Sequence, residues 1–314
     1  MPNTFLVTGG CGFIGSHIVD ELLNRYPEDN IVIIDNLSSG QNINTNKRVL
    51  THTCSLDNLF SLRNEYDLSW AKDIKYIFHL AAQIDLRKSM NHPFLDTEQD
   101  ITGFVKMMEY FKSIDRLKEL TVVFSSTGGA MYSGYLPECG YKEGCVASPL
   151  SPYGINKFTI EKYLEYYHAL YELKYTILRY ANVYGPRQAL KGESGIIGIF
   201  KNNYEKGVST AINNLGSGVR DYVHVFDVVA ANMLAMEGFN TLYNISTGVG
   251  TSVLELIEKI TRYCKLAYTF NDAPVKEIEK TYLYSSFPLA SGDRWKPSIT
   301  IDRGIELLFS KEDL

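Results

Sequence analysis

A tyrosine and a lysine four residues apart are well suited to proton chemistry. Tyr153 and Lys157 lie in a segment with helical apolar spacing, so this separation places both on one helix face. An ammonium beside a phenol favours the phenolate and lowers a pKa that is normally near 10. Tyr153 can then exchange a proton with a sugar or alcohol hydroxyl as general base and acid. A surface Tyr–Lys pair is the alternative, because 22 tyrosines make one such spacing expected by chance.

Two hydroxyl residues upstream support a catalytic role for Tyr153 and Lys157. Ser126 and Thr127 follow a strand-like run at 120–125, and doubly wound sheets bind ligands outside the carboxyl ends of their strands. A hydroxyl there can hydrogen bond the same reacting oxygen as Tyr153. The alternative to a catalytic hydroxyl is that Ser126 and Thr127 form an ordinary serine/threonine turn.

A glycine-rich turn near the start of the chain predicts a dinucleotide site. Residues 9–15 read Gly-Gly-Cys-Gly-Phe-Ile-Gly, between a strand-like run at 4–8 and a helical pattern that begins at Phe13. Such glycines let the backbone approach a pyrophosphate at the free N–H groups of a helix N-terminus. Asp35 ends the next strand-like run, and an acid there binds ribose hydroxyls and repels a 2′-phosphate, which favours NAD over NADP. A packing turn with a solvated Asp35 is the alternative.

Strand-like and helix-like segments alternate through the first 180 residues, which predicts an α/β fold with a Rossmann-type, doubly wound parallel sheet. The predicted strands are 4–8, 31–34, 49–54, 75–80, 120–125, 175–180 and 243–246. One predicted helix begins at Phe13. The others cover 94–111, 153–171, 225–236, 252–263 and 301–309. Glycine and asparagine cluster at 182–220. We therefore predict an NAD-binding domain at 1–180, joined again by about 225–248, and a smaller substrate-binding α/β domain at 181–314.

The composition excludes several other classes of protein. With 314 residues, 45% hydrophobic and 21% charged, the chain suits a globular protein with one large core or two domains. No apolar stretch approaches the ~18 residues of a membrane span, and no signal peptide is expected. A net charge of −5 without a basic block argues against a nucleic-acid partner. The five scattered cysteines match neither a disulfide framework nor a zinc spacing, so we expect a reducing, cytoplasmic location and no metal.

Longer motifs resemble the extended short-chain dehydrogenase/reductases, specifically the UDP-glucose 4-epimerase-like nucleotide-sugar epimerases. The matching stretches are Thr8-Gly9-Gly10-Cys11-Gly12-Phe13-Ile14-Gly15-Ser16, Asp35-Asn36-Leu37-Ser38-Ser39-Gly40, His79-Leu80-Ala81-Ala82-Gln83, Ser125-Ser126-Thr127-Gly128-Gly129-Ala130, Tyr153-Gly154-x-x-Lys157 and Arg220-Asp221-Tyr222-Val223-His224-Val225. The resemblance implies a tightly held NAD, a catalytic Tyr153–Lys157 pair and a hydroxyl that hydrogen bonds the sugar O4. By position that hydroxyl is Thr127, with Ser126 as second choice.

The resemblance also assigns residues around two ligands. Besides Tyr153 and Lys157, those implied to bind NAD are Gly9, Gly12, Phe13, Ile14, Gly15, Asp35, Asn36, Leu37, Ser39, Gly40, Ser55, Leu56, Leu80, Ala81, Ala82 and Gln83. Those implied to bind the nucleotide sugar are Asn182, Arg220, Lys276 and Tyr282. Arg220 has its own rationale, because an arginine fork suits a diphosphate; a surface salt bridge with Asp221 is the alternative. A bulky Tyr282 implies plain UDP-hexoses over N-acetyl sugars.

Several stretches depart from the family's pattern. Ser55-Leu56 stands where the family often has an acid near the adenine, and Asp100 stands where asparagine is usual. The basic-Gly-acidic segment that carries a second diphosphate contact is replaced by Lys276-Glu277-Ile278-Glu279, and Ser285-Ser286-Phe287-Pro288 replaces an Asp-x-Ser-Lys segment. These departures concern the substrate rather than the fold or the cofactor.

The resemblance implies an isomerase that epimerises C4 of a nucleotide sugar, UDP-glucose and UDP-galactose first, through a transient 4-keto intermediate. One alternative is a 4,6-dehydratase, which is disfavoured because Gly128-Gly129 replaces the Asp-Glu pair that usually follows the threonine. Another is an epimerase for UDP-N-acetylhexosamines or UDP-glucuronate. A non-catalytic NAD-binding regulatory protein is the third, and the presence of both Tyr153 and Lys157 argues against it.

The family also implies a homodimer through the helices at 94–111 and 153–171. The second helix carries more apolar surface than one core-facing stripe needs. These side chains are Tyr163, Leu164, Tyr166, Tyr167, Leu170 and Tyr171. The alternative is that they cover neighbouring elements of the same chain.

Overall fold

A computed structural model describes residues 3–40, 42–61, 66–133, 136–138, 140–188, 195–271, 280–281, 283–287 and 294–310. The strands are β1 (Thr4–Thr8), β2 (Asn30–Asp35), β3 (Val49–Thr53), β4 (Ile74–His79), β5 (Thr121–Thr127), β6 (Lys174–Tyr180), β7 (Asn182–Tyr184), β8 (Thr210–Ile212), β9 (Val219–His224), β10 (Thr241–Ile245), β11 (Gly250–Ser252), β12 (Tyr268–Phe270) and β13 (Lys280–Thr281). The helices are α1 (Phe13–Arg25), α2 (Leu56–Ser61), α3 (Leu86–Asn91), α4 (Pro93–Thr97), α5 (Gly103–Ser113), α6 (Pro152–Tyr171), α7 (Ile196–Lys206), α8 (Val225–Ala235), α9 (Val253–Ile260) and α10 (Ile301–Phe309).

Among the described residues, seven strands form one sheet in the order β10-β6-β5-β4-β1-β2-β3. The pairings of β1 with β2 and β4, of β2 with β3, and of β4 with β5 are parallel. Every residue of β1 is buried, and so is all of β2 except its first residue. Strands covered by helices on both faces require such continuous apolar runs. The predicted doubly wound α/β sheet is confirmed, including the edge strand at 49–53.

The chain reverses its course across this sheet between β3 and β4. It runs outward from β1 to β2 and β3, and β4 then returns to the other side of β1. The carboxyl ends of β1 and β4 therefore flank a topological switch point, where open α/β sheets bind ligands. Both main predicted cofactor segments, residues 9–15 and 80–83, follow these two strands.

The helix predicted at 94–111 is interrupted. Helix α4 ends at Thr97, a π-helical turn covers Glu98–Thr102, and α5 continues from Gly103. Apolar spacing alone does not reveal this turn, because a single wide turn changes the helical period over only a few residues. The turn contains Asp100, which is buried.

Helix α6 begins at a strong sequence signal. The Ser151 hydroxyl accepts a hydrogen bond from the Gly154 backbone N–H at 3.1 Å, and Pro152 occupies the first turn. Ile160 and Leu164 are fully buried in the core formed with the central strands and α5. This packing holds the first two turns of α6 near the carboxyl end of β5.

The chain divides into two compact units. One unit contains Met1–Ser133, Val146–Arg179 and Val229–Tyr243, and the other contains Gly134–Cys145, Tyr180–Val228 and Asn244–Leu314. The sequence carries no signal for the placement of 134–145. The roles predicted for the two halves of the chain stay predictions.

The second unit has its own small sheet and core. Strands β7, β11 and β13 all pair with β9, and β12 pairs with β8. Helix α7 lies in the Gly/Asn-rich stretch and was not predicted, although Ile197 and Phe200 show helical spacing and are buried. They pack with Leu256 and Ile305 in one core cluster. In the described part of the chain, no helix combines the length and apolarity needed to cross a membrane.

Candidate active site

Tyr153 and Thr127 are brought together by α6 and β5. Tyr153 is half-buried in the first turn of α6, and its backbone N–H donates to the Ser89 hydroxyl at 3.3 Å. Thr127 is the last residue of β5, and its hydroxyl accepts the Ala130 backbone N–H at 3.2 Å. A hydrogen bond from the Thr127 side chain to Tyr153 lowers the pKa of the phenol. The Thr127 hydroxyl and the Tyr153 phenol therefore lie side by side, so that one substrate oxygen can hydrogen bond to both.

Lys157 lies one helical turn after Tyr153 and is 3% exposed. Its Nζ donates to the Ser125 backbone carbonyl at 2.8 Å. The same Nζ lies 6.0 Å from the centroid of the Tyr153 ring and 5.0 Å from that of Phe124. The predicted arrangement of both side chains on one face of a helix is present.

Burial controls the ionisation of the pair. It lowers the pKa of Lys157 to about 8, while the charges of Asp100, Asp96 and Glu161 act in the opposite direction. It raises the pKa of Tyr153 above its ordinary value, and the charges of Asp100 and Asp96 raise it further. For the protein alone, this is opposite to the lowered tyrosine pKa that the sequence predicts. The reason is that desolvation and two nearby carboxylates outweigh the single hydrogen bond from Thr127.

Ser126 points to the other side of β5, as successive strand residues do. Its hydroxyl donates to Glu161 Oε1 at 2.6 Å. Glu161 also accepts two bonds from Arg179, Nε to Oε1 at 2.9 Å and Nη2 to Oε2 at 2.5 Å. Arg179 Nη1 in turn donates to the Tyr132 hydroxyl at 2.8 Å. The structure thus places Thr127, not Ser126, beside Tyr153.

Two buried aspartates lie close to the pair. Asp96 Oδ1 accepts from Gln83 Nε2 at 2.7 Å, and its Oδ2 accepts from Asn156 Nδ2 at 2.8 Å. Asp100 Oδ1 accepts the Gln83 backbone N–H at 2.9 Å. Burial raises the pKa of both carboxyls, that of Asp100 to about 7. Sequence reasoning missed Asp96, although its four-residue separation from Asp100 was a signal.

The glycine turn after β1 forms a cradle that a side chain would fill. A Cβ on Gly15 would lie 2.2 Å from the Gly9 carbonyl oxygen. Gly9 itself has φ of +72°, and a Cβ there would lie 2.8 Å from the Ala81 nitrogen. Helix α1 begins at the N-cap Gly12 without a side-chain hydrogen bond, so its first N–H groups are open to an anion. Phe13 and Ile14 are the half-buried first residues of the helix. This geometry fits a dinucleotide pyrophosphate.

Asp35 lies at the end of β2 and is 8% exposed. Its Oδ2 accepts the Cys11 backbone N–H at 2.9 Å, and its Oδ1 accepts that of Leu37 at 2.8 Å. Burial raises the pKa of this carboxyl, and both backbone bonds lower it. Each oxygen keeps a second lone pair, so the carboxylate can also accept two ribose hydroxyls.

The segments after β2 and β3 are placed as follows. Asn36 and Ser39 are exposed, Leu37 has φ of 56°, and Gly40 is buried where a Cβ would lie 2.3 Å from the Cys11 carbonyl oxygen. Ser55 is half-buried, two residues after the end of β3. The Leu56 side chain is part of the hydrophobic core. Only the backbone of Leu56 is therefore available for the predicted contact with NAD.

A threonine ties the end of β4 to β1. The Thr8 hydroxyl accepts the backbone N–H groups of Leu80 and Ala81, each at 3.2 Å. Ala82 and Gln83 follow, half-buried, and the amide of Gln83 is held by Asp96. The predicted lining segment 80–83 is therefore fixed at the switch point.

The predicted substrate residues of the second unit are partly described. Asn182 Nδ2 donates to the Asp221 backbone oxygen at 3.2 Å, and Arg220 is half-buried. The Asp221 carboxylate is buried and accepts the backbone N–H groups of Thr247 and Gly248, both at 2.9 Å. Asp221 is thus not a surface partner for Arg220. Lys276 and Tyr282 lie outside the described residues.

Comparison with known proteins decides the family. The sequence profile of the NAD dependent epimerase/dehydratase family matches residues 5–246. This chain belongs to that family.

Individual similar proteins match most or nearly all of the chain. The structure of UDP-glucose 4-epimerase with UDP-glucose from Thermotoga maritima has a TM-score of 0.84 and 37% identity, covering 98% of this chain and 97% of that one. The Thermus thermophilus UDP-glucose 4-epimerase in complex with NAD has a TM-score of 0.84 and 33% identity, covering 98% of this chain and 97% of that one. The UDP-glucose 4-epimerase of Mycolicibacterium smegmatis is 37% identical over 268 residues, 80% of this chain and 79% of that protein.

Proposed function

We propose that this protein is an NAD-dependent UDP-hexose 4-epimerase that interconverts UDP-glucose and UDP-galactose. The observation that carries the proposal is the Thr127–Tyr153–Lys157 arrangement at the carboxyl end of β5. It occurs in a member of the NAD dependent epimerase/dehydratase family that is 37% identical to an epimerase solved with UDP-glucose.

The roles of the three side chains follow from their positions. Tyr153 removes the proton from the C4 hydroxyl and returns it when the 4-keto sugar is reduced on its other face. Thr127 hydrogen bonds the same sugar oxygen and orients it toward Tyr153. Lys157 supplies the positive charge that favours the phenolate, which opposes the effect of burial on Tyr153.

The cofactor is assigned to the glycine turn, Asp35 and residues 80–83. When bound in its oxidised form, NAD supplies a positively charged nicotinamide that accepts and returns hydride. The cradle at Gly9 and Gly15 would take the pyrophosphate, and Asp35 would take the ribose hydroxyls. Because epimerisation has no net redox change, we expect NAD to stay bound through turnover.

In the second unit, we assign Asn182 and Arg220 to the nucleotide sugar. Asn182 lies beside β9, the strand that carries Arg220, because its Nδ2 donates to the Asp221 backbone oxygen at 3.2 Å. An arginine fork there suits the diphosphate. Lys276 and Tyr282 remain assigned to the sugar by resemblance alone.

A substrate panel tests the reaction. The purified protein is incubated without added nicotinamide with UDP-galactose, UDP-glucose, their N-acetyl forms and UDP-glucuronate, and products are separated by chromatography. We expect UDP-galactose and UDP-glucose to interconvert fastest. Faster turnover of an N-acetyl or uronate sugar would contradict the substrate, a 4-keto-6-deoxy product would indicate a dehydratase, and no turnover at all would favour a regulatory protein.

The cofactor is tested by denaturing the protein and assaying the extract for nicotinamide. We expect bound NAD, and we expect Asp35→Asn to hold less of it and to discriminate less against NADP, because the charge that repels a 2′-phosphate is lost. Asp115→Asn, at an exposed position after α5, is a matched control. An extract without nicotinamide, together with activity that requires added NADPH, would contradict the assignment.

We also propose a homodimer through α4, α5 and α6. Leu164 and Tyr167 are buried in the chain's own core, but other apolar side chains on α4 and α6 remain exposed. These are Phe94, Leu95, Ile155, Tyr166 and Leu170. Leu170→Arg should produce a monomer in light scattering, whereas Leu307→Arg on α10 should leave a dimer. A wild-type monomer at micromolar concentration would contradict the proposal.

We place the protein in the cytoplasm as part of this proposal. Among the described residues, Cys11, Cys54, Cys145 and Cys264 are free thiols, which suits a reducing compartment. Fractionation of cells with an antibody to the protein tests the location.

A further inference from the structure

The Asp96 carboxylate on α4 joins two parts of the chain that lie far apart in the sequence. It is 2% exposed. Its Oδ1 accepts from Gln83 Nε2 at 2.7 Å, and its Oδ2 accepts from Asn156 Nδ2 at 2.8 Å. Gln83 ends the segment 80–83 after β4, and Asn156 lies on α6 three residues after Tyr153. One buried side chain therefore contacts both the segment assigned to the cofactor and the part of α6 assigned to proton transfer.

Both polar atoms of the Gln83 side chain are hydrogen bonded. Its Nε2 donates to the Asp85 backbone carbonyl at 2.8 Å as well as to Asp96, so both of its N–H groups are used. Its Oε1 accepts the Asp85 backbone N–H, and its own backbone N–H donates to Asp100 Oδ1 at 2.9 Å. Removal of the Asp96 carboxylate would leave one Gln83 N–H without its acceptor, so the residues held by Gln83 would have to rearrange.

Asn156 ties α6 to α4 in a similar way. It is 2% exposed, and its Oδ1 accepts from the Thr97 hydroxyl at 3.2 Å while its Nδ2 donates to Asp96. The backbone N–H of Tyr153 is held from α3, because it donates to the Ser89 hydroxyl at 3.3 Å. The beginning of α6 is thus fixed by hydrogen bonds to α3 and α4, and a change at Asp96 can move Tyr153.

We propose that Asp96 is a positioning residue that fixes the segment 80–83 relative to the turn of α6 that carries Tyr153. Epimerisation requires that hydride and proton leave the same carbon–oxygen group, and different parts of the chain hold the two acceptors. An error of about 1 Å in such an arrangement can lower a rate ~10²-fold. The effect on catalysis rests on the proposed function, whereas the contacts of Asp96 do not.

A second buried aspartate makes the same kind of contact outside this site. Asp29 is 8% exposed, its Oδ1 accepts the Asn3 backbone N–H at 2.8 Å, and its Oδ2 accepts from Asn3 Nδ2 at 3.3 Å. It precedes β2, at the opposite end of that strand from Asp35. Asp29→Ala is therefore the matched control for Asp96→Ala, because each substitution removes a buried carboxylate that joins two segments.

Steady-state kinetics of two Asp96 variants separate position from charge. Asp96→Ala removes both bonds, and we expect kcat to fall ~10-fold or more while KM changes less than about twofold, because misplacement acts on the transition state. In Asp96→Asn both contacts can persist, because the Asn156 amide can turn and the exposed Thr97 hydroxyl can accept its N–H. We expect Asp96→Asn to keep kcat within about threefold of the wild type. Equal losses in the two variants would assign the effect to the charge of Asp96 and overturn the proposal.

Hydrogen exchange followed by mass spectrometry gives a measurement that does not depend on activity. In Asp96→Ala, backbone N–H exchange in residues 81–86 should become ~10-fold faster or more, because the Gln83 side chain no longer holds Asp85 in place. Asp29→Ala should leave both this exchange and kcat unchanged, even if it lowers the free energy of unfolding. Unchanged exchange in Asp96→Ala, or faster exchange with a wild-type kcat, would overturn the proposal.

Asn156→Ala keeps the proposal testable if Asp96→Ala does not fold. It removes the contact with α6 and leaves the bond between Gln83 and Asp96, so kcat should fall while exchange in residues 81–86 stays as in the wild type. A wild-type kcat in Asn156→Ala would overturn the proposal. A wild-type protein that turns over no nucleotide sugar would instead reject the proposed function, and the exchange measurement would still decide whether Asp96 fixes the segment 80–83.

Discussion

Two buried charges on α6, one helical turn apart, lie in opposite kinds of environment. Glu161 is saturated: Arg179 holds both of its oxygens, and Ser126 adds a third bond. Within the described residues, Lys157 makes one hydrogen bond, to the Ser125 carbonyl, and its Nζ lies 6.0 Å from the centroid of the Tyr153 ring. Both side chains are at most 3% exposed.

The difference separates stability from chemistry within one helix. When one partner of a buried, fully hydrogen-bonded ion pair is removed, the other charge is left buried and unpaired, and the free energy of unfolding falls strongly. A buried group with unmet hydrogen bonds is unfavourable in the protein alone, but its charge and donors remain available to a ligand. Substitutions of Glu161 and its partners should therefore lower the free energy of unfolding. Substitutions of Tyr153 and Lys157 should lower the catalytic rate.

Glu161→Ala should have the largest effect. It leaves the Arg179 guanidinium buried without its partner, which costs about 3–5 kcal/mol of the free energy of unfolding. Denaturant unfolding followed by circular dichroism measures this cost. Glu165→Ala on the same helix is the control, because Glu165 pairs with Lys162 on the exposed surface and such pairs contribute about 0–1 kcal/mol. Equal losses for the two variants would contradict the comparison.

Tyr153→Phe should follow, with its effect on rate. The ring and its packing stay, and only the proton-transfer oxygen is removed. We expect kcat to fall at least ~10²-fold, the low end of what positioned acid–base groups contribute. The free energy of unfolding and the NAD content should be nearly unchanged. A variant that keeps most of its 4-epimerase rate would show that another residue is the base.

Lys157→Met should also lower the rate, by removing the charge that favours the phenolate. We expect kcat to fall ~10-fold or more, together with a loss of bound NAD, measured in extracts of the denatured variant. Because burial of the ammonium is itself unfavourable, the unfolding free energy should not decrease. Lys162→Met, an exposed position on the same helix, is the control. A stable variant with wild-type rate would remove Lys157 from the mechanism.

The sequence predicted the elements whose signals are local. The apolar runs of β1 and β2, the glycines at 9–15, and the four-residue spacing of Tyr153 and Lys157 each act within a few residues. Their positions in the structure follow those patterns. The parallel sheet then follows from the alternation of strands and helices.

The sequence did not predict features that depend on distant packing. Strand alternation shows that Ser126 and Thr127 point to opposite sides, but only the position of α6 decides which one meets Tyr153. The π-helical turn at Glu98–Thr102 was not predicted, and the Asp100 carboxylate within it accepts the backbone N–H of Gln83, which lies outside the helix. The pKa of Tyr153 was predicted in the wrong direction for the protein alone, because burial cannot be read from a short motif.

Thr127→Val and Ser126→Ala, the smallest expected effects, test the comparison on adjacent residues of one strand. Thr127→Val removes one hydrogen bond to the reacting oxygen and leaves the base in place, so we expect kcat to fall up to ~10-fold, as a bond of about 0.5–1.5 kcal/mol allows. Stability should change little. Ser126→Ala removes one bond to Glu161, which Arg179 still holds, and should lower the unfolding free energy by about 1 kcal/mol with kcat unchanged. Activity and denaturant unfolding are measured for both variants. The reverse pattern, with kcat lowered by Ser126→Ala and not by Thr127→Val, would assign the catalytic hydroxyl to Ser126. It would contradict the conclusion that one side of β5 serves catalysis and the other serves stability.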